Sequence, residues 1–270
     1  MELQVQGKRA YAYTGGKPFN LALPCAVFIH GVQNDHSVWA LQTRYFAHHG
    51  FGVLAVDLPG HNRSEGPALA TVEAMADWIA ALLDAVGVQQ PACLIGHSMG
   101  SLIALEAAAR HPVKTAKLAL VATAFPMKVS DLLLNNARDD QPAAAELVTA
   151  FSHSGMAPKP SAPGPGFWLH GSSTQLMGRV TRHGAAAFHV GFKACDDYGG
   201  DEQAAAAVAA AGLPALFLLG KRDMMTPPRA AAGLQKALPQ ARTQVLDCGH
   251  AVMAEKPDEA LDALYAFCKS

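Results

Sequence analysis

Two kinds of apolar pattern alternate along the chain. The first is short and continuous. Cys25–Ile29, Gly52–Val56, Ala92–Ile95, Leu118–Val121 and Ala215–Gly220 carry almost no polar interruption. Runs of that length predict strands buried on both faces of a parallel sheet. The second kind has helical spacing. Val38, Trp39, Leu41, Tyr45 and Phe46 fall on one face before Gly50. Val72–Val86 predicts a helix capped by Thr71 and stopped by Gly87, and further helices are predicted from Met99, over Arg229–Leu238 and over Asp258–Phe267. Lys8–Thr14 alternates polar and apolar and predicts an edge strand turning at Gly15-Gly16, while Thr243–Leu246 predicts the last strand. Strands alternating with helices imply an α/β fold: a mostly parallel central sheet with helices on both faces.

The alternation stops between Phe125 and Ala211. This stretch holds no buried strand. It predicts amphipathic helices over Asp131–Arg138, Ala143–Phe151, Thr174–Arg182 and Ala185–Lys193, closed by an Ala-rich helix over Glu202–Ala211. Between them, Ala157–Gly166 is too rich in Pro and Gly for helix or sheet and predicts a mobile loop. The expected division is a core in two parts, residues 1–124 and 213–270, with a helical insertion at 125–212.

Composition narrows the classes. The chain has 270 residues and a formal net charge of −1, room for one large α/β domain with an insertion. Near-neutral charge gives no electrostatic reason to expect nucleic acid or an anionic membrane as partner. No apolar run approaches a membrane span, and Met1–Gln4 lacks the basic and apolar regions of a signal peptide. The expected setting is cytoplasmic. The 5 cysteines are scattered without a C-x-x-C pair, so neither a disulfide framework nor a zinc knuckle is expected.

The chemistry starts at Gly96-His97-Ser98-Met99-Gly100, between a predicted strand and a predicted helix. Strand, tight turn and helix are the setting of a nucleophile elbow. A serine at its apex takes an unfavourable backbone conformation, and the residues two positions away must be small to avoid collision. In return the hydroxyl stands clear of the sheet, and the new helix points its amide end at whatever the serine attacks.

With His30-Gly31 and Trp39, Asp57-x-Pro59-Gly60-His61-x-x-Ser64, Gly220-x-x-Asp223 and Gly249-His250 in this order, the chain resembles the α/β-hydrolase superfamily over nearly its whole length. The insertion resembles that superfamily's helical cap. The resemblance implies Ser98 as nucleophile, His250 as base and Asp223 as the acid that orients it. It implies an oxyanion hole from the backbone amides of Met99 and Val32. Gln33 and Asn34 read as a solvated turn or as polar contacts to substrate. His30 is expected to order the oxyanion loop, His97 to pack or touch the cap, and Asp57 to organise its turn. Asp247 is too close to His250 along the chain to serve as the acid. The remaining histidines show no metal-ligand spacing. No metal or organic cofactor is expected, and the partner is a small-molecule substrate.

The activity implied is serine-dependent hydrolysis of carboxylic esters with small, largely apolar acyl groups. A carbon–carbon bond hydrolase with the same triad is the alternative, with Arg179, Arg182 and Lys193 available for a substrate carboxylate. A non-catalytic binding protein of the same fold is the other. The cap residues Leu132, Leu133, Leu147, Phe151, Met156, Trp168, Leu176, Met177, Phe188 and Phe192 must mostly pack, with a few facing Ser98. Met177 and Phe188 are the expected determinants of chain length, and Pro158–Gly166 the expected lid edge.

Overall fold

The computed structural model describes residues 1–154, 169–181 and 186–270. The Ala157–Gly166 stretch, Met156, Trp168, Arg182 and His183 lie outside the described residues. Eight strands form one sheet: β1 (Glu2–Val5), β2 (Lys8–Tyr13), β3 (Cys25–Ile29), β4 (Gly52–Asp57), β5 (Ala92–His97), β6 (Thr115–Val121), β7 (Ala215–Gly220) and β8 (Arg242–Leu246). Their order is β1-β2-β4-β3-β5-β6-β7-β8. The pairs β1–β2 and β2–β4 are antiparallel and the rest parallel.

The helices are α1 (Ala40–His48), α2 (Val72–Val86), α3 (Met99–Arg110), α4 (Asp131–Asp139), α5 (Gln141–Ser152), α6 (Leu169–Thr181), α7 (Ala187–Asp197), α8 (Asp201–Ala210), α9 (Ala232–Ala237), α10 (Val252–Glu255) and α11 (Pro257–Lys269). Period-two alternation splits each central strand between two apolar layers. Cys25, Val27, Ile29 and Leu94 pack with α2 and α3 on one face; Ala26, Phe28, Cys93 and Ile95 pack with α1 and α11 on the other. Between β6 and β7 come α4 to α8; α4 packs on both α5 and α7, α5 packs on α6, and α8 lies against α3 and α9. No helix among the described residues is long and apolar enough to cross a membrane.

Topology places the site. The chain leaves β3 for β4 on one side and later returns to β5 on the other, so the strand order reverses between β3 and β5. Crevices at such a reversal, outside the carboxyl ends of the strands, are where open α/β sheets bind ligands. His30-Gly31 follow β3 there, and Ser98 follows β5.

Differences from the predicted elements have local causes. The short edge strand β1 carries too few residues to show alternation, and its pairing with β2 supplies its order. The helix predicted over Arg229–Leu238 is a 3-10 turn, Pro228–Ala231, running into the shorter α9; the Ala230 amide donates to the Pro227 carbonyl at 2.7 Å, an i→i+3 bond that tightens this start. Strand β6 begins at Thr115, since Lys117 lies in the sheet while its ammonium donates to the carbonyl of Phe267, 3.0 Å away.

Helix α2 has the predicted ends. Thr71 Oγ1 accepts from the Ala74 amide at 3.1 Å, and Gly87 takes a left-handed φ of 84°. Thr71→Ala should lower the free energy of unfolding by about 1 kcal/mol, and Thr71→Ser should restore most of it. Urea denaturation reads both; an unchanged midpoint in Thr71→Ala would show that the cap contributes nothing.

Candidate active site

Backbone crowding creates the elbow. A β-carbon on Gly96 would lie 1.9 Å from the Gly100 carbonyl oxygen, and one on Gly100 would lie 2.3 Å from the Ile29 carbonyl oxygen. Only glycine permits β3, β5 and α3 to approach so closely. Ser98 at the apex has φ 53° and ψ −121°, a left-handed backbone that a non-glycine residue adopts at a cost of roughly 1–3 kcal/mol. Its backbone is hydrogen-bonded on both sides, the Ser101 amide donating to the Ser98 carbonyl at 2.8 Å. The Ser98 amide donates to the Val121 carbonyl at 2.9 Å, and Ser101 Oγ donates to the Ser98 carbonyl at 2.5 Å.

Asp223 and His250, 27 residues apart, meet beyond the ends of β7 and β8, with His250 Nδ1 2.8 Å from Asp223 Oδ2. Asp223 is buried, and burial alone would raise its carboxyl. The charge and hydrogen bond of His250 and the Thr226 donors outweigh burial and hold it below the usual carboxylate range. The second oxygen, Oδ1, accepts the amides of Met225 at 2.8 Å and Thr226 at 2.7 Å. An ionised Asp223 can only accept, so the proton on the shared bond belongs to His250 Nδ1. Nε2 is then the ring nitrogen turned to accept a proton from substrate or nucleophile. Thr226 Oγ1 stands 2.8 Å from Asp223 Oδ2, 3.0 Å from His250 Nδ1 and 2.9 Å from the Ala122 carbonyl. Thr226 carries no sequence pattern of its own; its one signal is its place three residues after Asp223. Asp247 faces away and pairs with Arg222 at 2.7 Å.

Of the two places expected for His97, packing is the one it takes. Its Nε2 donates to the His250 carbonyl at 2.9 Å, and its ring lies 4.8 Å from the His250 ring, so it holds the histidine loop rather than touching the insertion. Burial, reinforced by the nearby His250, lowers its pKa to about 3. His30 accepts the Leu58 amide on Nε2 at 3.1 Å and donates from Nδ1 to the Gly31 carbonyl at 2.8 Å, tying the loop after β3 to the loop after β4. Asp57 organises the second loop by accepting the amides of His36 at 2.9 Å and Arg63 at 3.2 Å.

The loop after β3 comes tightly against the elbow: a β-carbon on Gly31 would lie 3.2 Å from the Ser98 β-carbon. The Val32 amide has no hydrogen-bond acceptor among the described residues, and Met99 opens α3, where amides lack intrahelical acceptors. Gln33 is not solvated. It is fully buried, with φ 56°, and its Nε2 donates to the Met177 carbonyl on α6 at 3.1 Å. Asp35, also buried, accepts Arg179 of α6 at 2.5 Å and the Ser37 amide at 2.8 Å. Asp35, His36 and Asp57 bring ligand-type atoms within 4.8 Å of one another. Their oxygens are already taken by Arg179, His36, Ser37 and Arg63, so this is a hydrogen-bonded knot rather than a donor set awaiting a metal.

Two cavities meet at Ser98. One has a volume of about 770 Å³ and is lined by His250 as well as Ser98. The other, about 330 Å³, is lined by Ser98 and mainly by apolar side chains of α4, α5 and α7 and of the loops before and after them. Each has a single cation among its described lining residues. Arg179 is paired with Asp35, and Lys128 donates to the Asp196 carbonyl at 2.6 Å. Lys193 is paired with Asp197. Of the apolar residues named above, Leu132, Leu133, Leu147 and Phe151 line the smaller cavity, Leu176 and Met177 the larger, and Phe192 both. Phe188 lines neither; it is buried and stacks on Phe192 at 5.4 Å, so its role is packing.

A serine on a strained strand–helix turn, at the reversal point of a sheet in this order, defines the hydrolase class. The chain belongs to the α/β-hydrolase family: the model of the alpha/beta hydrolase fold matches residues 27–257. It is 30% identical over 249 residues to a pimeloyl-[acyl-carrier protein] methyl ester esterase of Aromatoleum aromaticum, covering 87% of this chain and 94% of that protein. It is 35% identical over 113 residues to the dihydrolipoyllysine-residue acetyltransferase component of an acetoin cleaving system of Cupriavidus necator, a match that spans only 28% of that longer relative. The solved structure of an enol-lactonase from Burkholderia xenovorans LB400 superposes with a TM-score of 0.84 at 23% identity, covering 100% of both chains, a likeness of fold.

Two outcomes follow from the packing. Gly96→Ala should abolish the elbow geometry and lower the melting temperature, whereas Gly178→Ala, inside α6 with open space around its α-carbon, should hold it or raise it slightly, since alanine favours a helix interior. Equal melting temperatures for Gly96→Ala and wild type would contradict the crowding. The second outcome concerns acid. Burial holds His61 and His97 at about 3, below the ordinary histidine value of 6.5. The folded state therefore binds fewer protons than the unfolded state between these values. Stability contributed by the neutral rings is complete above pH 6.5 and is lost as pH falls toward 3. The melting temperature should drop steadily through this window, and His61→Gln should flatten the drop; an unaltered slope would contradict it.

Proposed function

We propose that this enzyme hydrolyses carboxylic esters with largely apolar acyl groups of small to moderate size, through an acyl-enzyme on Ser98. The observation that carries the reading is the Asp223–His250 hydrogen bond of 2.8 Å beside a serine held at a strained elbow, with Ser98 and His250 lining one cavity. In this reading His250 Nε2 takes the Ser98 proton as Oγ attacks the ester carbonyl carbon. The Val32 and Met99 amides stabilise the oxyanion, and Asp223 stabilises the imidazolium. The carbon–oxygen bond to the alcohol breaks, and His250 returns the proton to the alcohol oxygen. Water, deprotonated by the same histidine, then releases the acid. The reading needs no cofactor, and a reducing, cytoplasmic setting suits the five free, buried thiols.

The paired state of the cations favours esters over substrates that must present a carboxylate. Arg179 and Lys193, named for a carbon–carbon bond hydrolase, already hold Asp35 and Asp197. The kinship with a methyl ester esterase is in keeping with an ester substrate.

Ser98→Ala should reduce hydrolysis of a short p-nitrophenyl ester by ~10⁴-fold or more, His250→Ala by about as much, and the double variant little further. Asp223→Asn should cut kcat strongly with the fold intact, while Asp247→Asn should be silent. Thr226→Val should cost roughly tenfold, the worth of one charge-assisted hydrogen bond. Near-wild-type turnover by folded Ser98→Ala, or a silent Asp223→Asn beside a damaging Asp247→Asn, would overturn these roles.

A further inference from the structure

Helix α5 divides the space around Ser98. Leu147 and Phe151, one turn apart, line the 330 Å³ cavity, whereas Val148, Thr149 and Ser152 on the adjoining face line the 770 Å³ cavity. Ser98 borders both chambers, but His250 borders only the larger.

That asymmetry, taken with the ester reading above on which it rests, orients the substrate. When the tetrahedral intermediate collapses, the Ser98 proton carried by His250 must end on the alcohol oxygen as its bond to carbon breaks. The alcohol must therefore lie within reach of His250, in the larger chamber. The acyl carbon remains bonded to Ser98 Oγ, and its chain takes the chamber that His250 does not border. We infer that α5 is the partition that sorts the two halves of the ester: the acyl chain enters the apolar chamber faced by Leu147 and Phe151, and the leaving alcohol occupies the larger chamber.

The linings fix the class of each half. The smaller chamber is faced chiefly by Leu, Met, Val and Phe side chains, which suit an unbranched hydrocarbon chain. The larger is more than twice the volume and offers Asn34, Ser37 and Ser173 to hydrogen-bond an alcohol. The substrate class is thus an ester of an apolar monocarboxylic acid with a bulky, hydrogen-bonding alcohol. Anchorage supports a fixed divider: the Ala251 amide, next to His250, donates to the Ser152 carbonyl at the end of α5 at 2.8 Å.

Two ester series test the assignment, one varying the acyl chain from acetyl to dodecanoyl on p-nitrophenol, the other varying the alcohol from methanol to a monosaccharide on a butanoyl group. Leu147→Trp should shorten the acyl optimum, with kcat/KM falling about tenfold per excess methylene, and Leu147→Ala should lengthen it. In both variants the relative rates along the alcohol series should keep the wild-type order. Ser173→Trp should do the reverse, penalising bulky alcohols and leaving the acyl optimum in place. Circular dichroism confirms that each variant is folded. Crossed responses, or folded variants that move neither profile, would overturn the partition while leaving ester hydrolysis intact. Failure of the wild type to turn over any member of either series would instead overturn the ester reading itself.

Discussion

The structure depends on one steric constraint, the approach of three backbone segments to within contact at the end of β5. Glycines at 96 and 100 leave room for carbonyl oxygens where any β-carbon would collide. That closeness forces the turn, the turn forces Ser98 to a positive φ, and the strained serine is then carried clear of the sheet. The same constraint presses the loop after β3 against the elbow through Gly31. Relaxing it would disperse the groups at the site even with every side chain unchanged.

Around this point helices α5 and α6 are bonded to the site rather than merely resting on it. Helix α6 holds the loop after β3 through Gln33 and through Arg179 on Asp35. The end of α5 holds the histidine loop: the Ser152 carbonyl accepts the Ala251 amide, and Glu255 accepts the amides of Ser154 and Gly249 at 3.0 and 3.1 Å. On α7, a β-carbon at Gly191 would lie 3.1 Å from Val32, so that helix packs directly on the proposed oxyanion residue. A shift of α5, α6 or α7 must therefore be felt by the groups that would do chemistry. Buried Asp35 shows the balance involved: burial would raise its carboxyl, and the Ser37 donors with Arg179 bring it below the usual range.

Much of this was legible in the sequence because it rests on local constraints. Continuous apolar runs marked the central strands, Thr71 and Gly87 marked both ends of α2, and Gly96-x-Ser98-x-Gly100 marked the elbow. What escaped depends on contacts between distant residues. Gln33 sits in a polar stretch and looks like part of a solvated turn, yet α6 covers it. Thr226 has no pattern of its own and takes its place from the meeting of β6, β7 and β8 ends. His97 reads as an elbow residue, and only the fold brings the His250 carbonyl to it. Arg179 looks free in a helix, and its partner lies 144 residues away.

In the proposed mechanism Ser98 is the nucleophile and His250 activates it. Labelling with a fluorophosphonate reads this without assuming any natural substrate, since the reagent needs only an activated hydroxyl. Intact-mass analysis should show one adduct per chain, peptide mapping should place it on Ser98, and the rate should collapse in His250→Ala and fall strongly in Asp223→Asn. An adduct on another residue, or labelling of Ser98 at an undiminished rate in folded His250→Ala, would contradict the account.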